Sequence, residues 1–255
     1  MLRDFLVLNV FGFFLTFARI GTAVVLLPGF SASWISVRAR VVVGLAVTLV
    51  TLPLVQHTWP AIPSTPVELF LLMLGEIFIG AFIGTIGLVL ISTLQAAGSF
   101  IALFSSLANA MVRDPIAESQ SALTAGFLTI MGVVMIFVTD THHILLRGVI
   151  ASYGTFIPGQ VVFDGDIADT VAKVVNDSFA VGLQLTAPFL IVALTYYVGL
   201  GILNRLMPTL PIFFVGLPVQ VTLQMLVFMI TLTSIMMTFM NFFASTYTGL
   251  FLPNS

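Results

Sequence analysis

The sequence predicts an all-α, polytopic membrane protein of about six hydrophobic helical segments. Three observations carry that reading. Hydrophobic residues make up 59% of the 255, and charged residues only 7%, against roughly 25% in ordinary globular domains. Residues 206–255 contain no charged side chain, and neither do residues 77–112. Several apolar runs reach the length of about 20 residues that a membrane-crossing helix needs. Mean hydropathy is +1.18.

Composition also excludes function classes. The formal net charge is −2, so no general basic character points to nucleic acid. Cysteine is absent, which removes disulfides, thiolate metal sites and thiol catalysis together.

The segments follow in order. Residues 5–30 form a first apolar span, read as retained because it is too long for a signal h-region; Arg19 lies inside it. Residues 41–59 form a second, interrupted by Pro53. Pro60, Pro63 and Pro66 then mark a stiff connection. Residues 67–112 are long enough for two helices, and no turn signal divides them cleanly before Gly98. Residues 121–149 form another span, holding Asp140, His142 and His143. Residues 152–177 are the most water-compatible stretch, with Asp164, Asp166, Asp169, Lys173 and Asp177. Residues 179–203 span again, residues 204–218 make a proline-rich reversal, and residues 219–252 close the chain. The chain reads as one membrane domain.

Orientation follows the Lys/Arg bias of the loops. Arg38, Arg40, Arg113 and Arg205 fall on one side, and Arg3, Arg147 and Lys173 on the other. Four against three places the 204–218 reversal in the cytoplasm.

Candidate functional residues are few. At 100° per residue, Glu76, Gly80, Gly84 and Gly87 fall within an arc of about 80°. Such a glycine face lets helix backbones approach closely in a membrane. A carboxylate on it faces protein or water, not lipid. The face reads either as helix packing or as a polar pathway. Arg19 is too deep in its span to reach water easily. Glu76 and Asp140 are its candidate partners, and the sequence does not choose between them. Asp140, His142 and His143 read as an interfacial, solvated cluster or as a proton relay. Met225, Met229, Met236 and Met240 share one helical face within about 60°, either as gap-filling core or as a deformable seal.

No catalytic constellation is present. There is no HExxH, no GxSxG and no phosphate-binding glycine loop, and Asp164-Gly165-Asp166 lacks the glycine and closing Glu of a calcium loop. No metal, cofactor or enzyme activity is expected. The most unusual stretch is 95–121, where Gln95, Gly98, Ser99, Ser105, Ser106 and Asn109 interrupt an apolar run and Arg113-Asp114-Pro115 ends it. Irregular backbone at membrane depth is tolerated only inside protein or along a water-filled cavity. The segment is a re-entrant, pore-facing element or an extramembrane loop.

The order of motifs resembles a known family. Arg19-Ile20, Pro28 and Phe30, and Ser36-Val37-Arg38 come first. Gly75-Glu76 with Gly80, Gln95-Ala96-Ala97-Gly98 and Asp114-Pro115 follow. Ala187-Pro188-Phe189 precedes a block of Gly199, Arg205, Pro208, Ile212-Phe213, Gly216 and Pro218. Together they resemble the FliR family of flagellar export-gate proteins, whose superfamily includes virulence-type secretion counterparts.

That resemblance implies a non-enzymatic, one-copy subunit of the flagellar type III export gate. The gate sits in the bacterial inner membrane, at the flagellar basal body. Implied partners are FliP and FliQ subunits in a helical hetero-oligomer, FlhA-type and FlhB-type export components, membrane lipid, and unfolded flagellar proteins as substrates. The chain would divide into a FliP-like part, about 1–177, and a FliQ-like hairpin, about 178–255. The hairpin tip, with Arg205, Pro208 and Pro211, would face the cytoplasm. The channel plug would map to Phe104, Ser105, Ser106, Leu107, Ala108, Asn109, Ala110, Met111, Val112, Arg113 and Asp114. Within it, Ser105-Ser106-Leu107-Ala108-Asn109 lacks the Gly-rich, aromatic character of many relatives. Two rival readings are a virulence-type secretion subunit and an ion-coupled transporter using Glu76, Arg19 and Asp140.

Overall fold

The computed structural model describes residues 2–32, 35–105, 112–113, 120–121, 123–160, 165–207 and 212–252. Eight α-helices carry almost all of them. Helix α1 is Leu2–Leu26, α2 Val37–Val55, α3 Pro66–Phe104, α4 Leu123–Val138, α5 Thr141–Thr155, α6 Gly165–Leu185, α7 Ala187–Leu206 and α8 Ile212–Phe251. A 3-10 turn, Gln56–Thr58, follows α2. Strands β1 (Val112–Arg113) and β2 (Gln120–Ser121) pair antiparallel, Val112 opposite Ser121 and Arg113 opposite Gln120. Among the described residues, five helices are long and apolar enough to cross a membrane, or six if α4 and α5 count as one broken span.

Local chemistry explains the boundaries. Ser36 caps α2: its hydroxyl accepts from the Ala39 N–H at 3.3 Å, with Ser36 itself extended. The start of α3 is a capping box displaced by one residue. Thr65 Oγ1 accepts from the Glu68 N–H at 3.2 Å, and Glu68 Oε2 reaches back to the Ser64 N–H at 3.2 Å. Pro66 occupies the first helical position, where its missing N–H leaves no bond unmade.

Four expectations change. The described part of the 67–112 run, up to Phe104, does not divide into two helices. Helix α3 runs unbroken for 39 residues, about 58 Å at 1.5 Å per residue and nearly twice the roughly 30 Å hydrocarbon thickness. Gly98 is not a turn but a contact point: a Cβ there would sit 2.3 Å from Ala125 Cα. The span at 121–149 breaks at Thr139–Asp140, where Asp140 adopts the left-handed conformation (φ 56°). Residues 165–177, which read as loop, belong to α6, with Asp166, Asp169, Lys173 and Asp177 within about 80° of one another around the axis. Finally, the reversal after α7 is shorter than expected. Pro218 lies inside α8, past its first turn, where it cannot supply the bond an N–H at that position would give the Phe214 carbonyl.

The described chain clusters into two compact units. The first comprises Met1–Leu90, Ile136–Val174 and Ala244–Ser255. Its buried residues include Ile20 and Leu27 of α1, Ile83 and Leu90 of α3, Leu145 of α5 and Tyr247 of α8. Trp59 folds back onto α1, lying where a Cβ on Gly12 would stand and donating from Nε1 to Thr16 Oγ1 at 3.3 Å. The second unit comprises Ile91–Met135 and Val175–Phe243. Leu94, Leu128, Phe189 and Phe239 are buried in it. Gly132 admits Leu94 Cδ1 to 2.3 Å from where its Cβ would be.

Candidate functional site

The first cluster of interest is a buried ion pair in the first unit. Arg19 is 0% exposed and Glu76 1%. Arg19 Nε donates to Glu76 Oε2 at 2.7 Å, and Nη2 donates to Glu76 Oε1 at 2.9 Å. This two-point geometry suits the planar guanidinium fork. Two further donors are used: Nη2 reaches Phe156 O at 2.8 Å and Nη1 reaches Ser152 Oγ at 3.3 Å. Tyr153 lays its ring 4.0 Å from the guanidinium carbon, a cation–π contact in a dry site. Asp140, the other candidate partner, is exposed and makes no bond to Arg19.

The glycine face explains how a charge pair fits here. A Cβ on Gly80 would stand 2.3 Å from Arg19 O; on Gly84, 2.5 Å from Leu26 Cβ; on Gly87, 2.7 Å from Pro28 Cδ. Helix α1 therefore lies directly against Gly80 and Gly84 of α3, and the turn that follows it against Gly87. That approach brings the Arg19 side chain onto Glu76, one turn before Gly80. Four of the five guanidinium N–H donors are engaged inside the fold, and the ring of Tyr153 covers one face. The site acts as a rivet through α1, α3 and α5. Ser152 and Tyr153 of α5 and Phe156 just after it are partners that the sequence did not announce, since nothing there distinguishes them before the helices meet.

The second cluster surrounds the end of α3 in the second unit. A helix leaves its last carbonyls without intrahelical donors. Gln220 of α8 supplies one: its Nε2 donates to Phe104 O at 3.0 Å and to Tyr197 Oη at 3.0 Å. Gln220 is 1% exposed. The neighbouring Tyr196 hydroxyl donates to Gly216 O. One turn on, Gln224 Nε2 donates to Phe189 O at 3.2 Å. Ser105 folds back onto α3, its hydroxyl donating to Ile101 O at 2.7 Å. Upstream, Thr124 Oγ1 donates to Gly98 O at 2.6 Å. The end of α3 is thus fixed by side chains of α4 and α8.

The expected plug begins at this point. Phe104 ends α3 and Ser105 is a buried turn residue. Val112 and Arg113 form β1. Ser106, Leu107, Ala108, Asn109, Ala110, Met111 and Asp114 lie outside the described residues. At the expected hairpin tip, Arg205 is exposed in the last turn of α7, while Pro208 and Pro211 lie outside the described residues.

Two other sequence features can now be placed. Ligand atoms of Asp140, His142 and His143 lie within 4.8 Å of one another, the one described grouping close enough to share a metal ion. Asp140 and His143 are exposed, where water solvates them individually, and the His142 ring stacks on Phe137 at 5.1 Å. The methionine face is uneven: Met236 is buried, Met225 and Met240 are half-buried, and Met229 is 69% exposed.

Comparison with known proteins decides the family. Residues 10–246 match the model of bacterial export proteins, family 1. The chain belongs to this family. The matched region takes in Arg19, Glu76, the end of α3 and Gln220. Among relatives in the export-protein family, a flagellar biosynthetic protein FliR from Caulobacter vibrioides is 33% identical over 223 residues, 88% of this chain and 89% of its own. Another from Bacillus subtilis is 28% identical over 92% of this chain and 91% of its own. A third from Escherichia coli is 26% identical over 73% and 72%.

Proposed function

We propose that this chain is a subunit of the flagellar protein-export apparatus in a bacterial inner membrane. In this reading it assembles with FliP-like and FliQ-like partners, beside FlhA-type and FlhB-type components. Together they form the channel through which unfolded flagellar proteins leave the cytoplasm. The carrying observation is near full-length similarity to proteins named for flagellar biosynthesis. Large apolar surfaces support it. Ile191, Leu194, Val198 and Ile202 of α7 and Leu226, Met229 and Ile230 of α8 are all more than half exposed. Exposed apolar area on this scale marks lipid or partner contact.

Within the gate, residues 104–114 serve as the plug. The anchoring of Phe104 by Gln220 supports this role, because a plug needs a fixed root. The hairpin of α7 and α8 points its tip, with Arg205, into the cytoplasm. The chain divides functionally into a part of about 1–177 and the hairpin of about 178–255. An ion-coupled transporter is disfavoured by the pairing of Arg19 and Glu76 with each other and with α5, which leaves Asp140 outside the cluster. The test is complementation: expressed in a Caulobacter strain lacking its own FliR, this chain restores export of flagellar subunits. Normal membrane insertion without export would count against the reading.

A further inference from the structure

A groove on the first unit holds a positive charge that nothing in the described chain neutralises. It has a volume of about 520 Å³ and is walled by Phe17, Thr22 and Val25 of α1, Val41 of α2 and Met73 and Ile77 of α3, with Arg40 on its lining. The volume falls within the roughly 300–1,000 Å³ typical of ligand pockets. The walls are almost wholly apolar, and the one hydroxyl, Thr22 Oγ1, is already spent on Ala18 O at 2.7 Å.

Arg40 is the exception. Its Nη2 donates to Ala32 O at 2.6 Å. Its Nε is buried and has no acceptor. Among the described residues no carboxylate pairs with it. The first turn of α2 contains no acidic residue and carries a second, exposed arginine, Arg38. The same turn is the positive end of the helix dipole. Arg40 as a whole is half-buried, so its head keeps part of its hydration while the buried Nε lacks an acceptor that an anion would supply. Arginine is suited to phosphate, which it binds through charge-assisted bonds.

We infer that this groove binds an anionic membrane phospholipid, with its phosphate on Arg40 and an acyl chain along Phe17, Val25, Met73 and Ile77. The apolar walls favour a lipid over free phosphate, which would gain nothing from them. The exposed faces of Val37, Val41 and Val42 continue the apolar surface outward from the groove. Basic pockets between membrane helices are known to select anionic headgroups. By the Lys/Arg bias, the first turn of α2, with Arg38 and Arg40, is on the arginine-rich side of the chain, facing the anionic cytoplasmic leaflet. This inference does not depend on the export reading.

The test uses the chain in its native assembly, purified in detergent and stripped of loose lipid. Phosphatidylglycerol or phosphatidylcholine is then titrated in mixed micelles, and bound lipid is counted by mass spectrometry of the intact particle. The wild type retains phosphatidylglycerol in preference to phosphatidylcholine. Arg40→Gln weakens phosphatidylglycerol retention about tenfold or more, and Arg40→Lys keeps part of it. Val25→Trp, which fills the groove and leaves the charge, also removes the lipid. Millimolar inorganic phosphate does not compete. Equal retention of the two lipids would overturn the inference. So would unchanged retention in Arg40→Gln, displacement by inorganic phosphate, or cross-linking of a cysteine at Val25 to a partner protein in place of lipid. Assembly yield and melting temperature of each variant separate lost lipid from lost fold.

Discussion

Arg19 and Glu76 meet through two parallel bonds of 2.7 and 2.9 Å, at positions fully shielded from solvent, on helices held together by glycine. Four of the five guanidinium donors and both carboxylate oxygens are engaged within the fold. The pair's role is therefore to hold α1, α3 and α5 in register. Removing one partner strands the other charge in a dry site. Glu76→Gln should destabilise the chain by about 3–5 kcal/mol, read as lower melting temperature and lower yield. Replacing both, with Arg19→Met and Glu76→Leu, should recover much of that loss and retain export. Loss of export from a well-assembled double variant would instead place the pair on the transport path.

Gly80 is the contact that lets the pair form. A methyl group there meets Arg19 O at 2.3 Å, and backbone cannot swing aside. Gly80→Ala should cost about 1–3 kcal/mol through overpacking. Gly75→Ala is the control, since a Cβ there meets nothing within 4 Å. It should be neutral or slightly stabilising, because alanine favours helix over glycine by about 1 kcal/mol. Thermal unfolding of the two variants in the same detergent compares them directly.

Gln220 satisfies a carbonyl that α3 itself leaves open. Gln220→Leu keeps the volume and removes the donor, leaving Phe104 O buried without its bond, at a cost of about 1–3 kcal/mol. The loss should appear locally. Amide hydrogen exchange at residues 101–105 should accelerate, while exchange around Arg19 stays slow. Uniform acceleration over the chain would mean that Gln220 supports the fold broadly and not the end of α3.

If residues 104–114 block the channel, deleting 105–109 should make the assembled complex permeable to small ions and solutes. Conductance in planar bilayers measures this. A fully assembled complex that stays tight after the deletion would remove the plug role.

Much of the fold was legible because its chemistry is local. Apolar run length gave the number of spans, and glycine spacing picked out the face of α3 that α1 covers. Arg19 and Glu76 stood out as charges too deep to reach water, although choosing Glu76 over Asp140 required the fold. The misreadings share one cause: a local signal had a tertiary use. Gly98 reads as a helix break, yet it is where Ala125 packs and Thr124 bonds. Pro218 reads as a turn residue but lies inside α8, which continues past it to Phe251. The break at Asp140 has no glycine or proline to signal it; aspartate is among the few residues that adopt the left-handed region readily. Gln220 looks like any polar residue in an apolar helix, because its acceptor lies 116 positions away.

The central claim is that this chain works as one part of a larger conduit. Affinity purification of the tagged chain from its native membrane, with mass measurement of the intact particle, tests it most directly. The expected result is a stable complex holding several FliP-like and FliQ-like chains for each copy of this one. Recovery of a well-folded, unaccompanied chain under gentle extraction would contradict it.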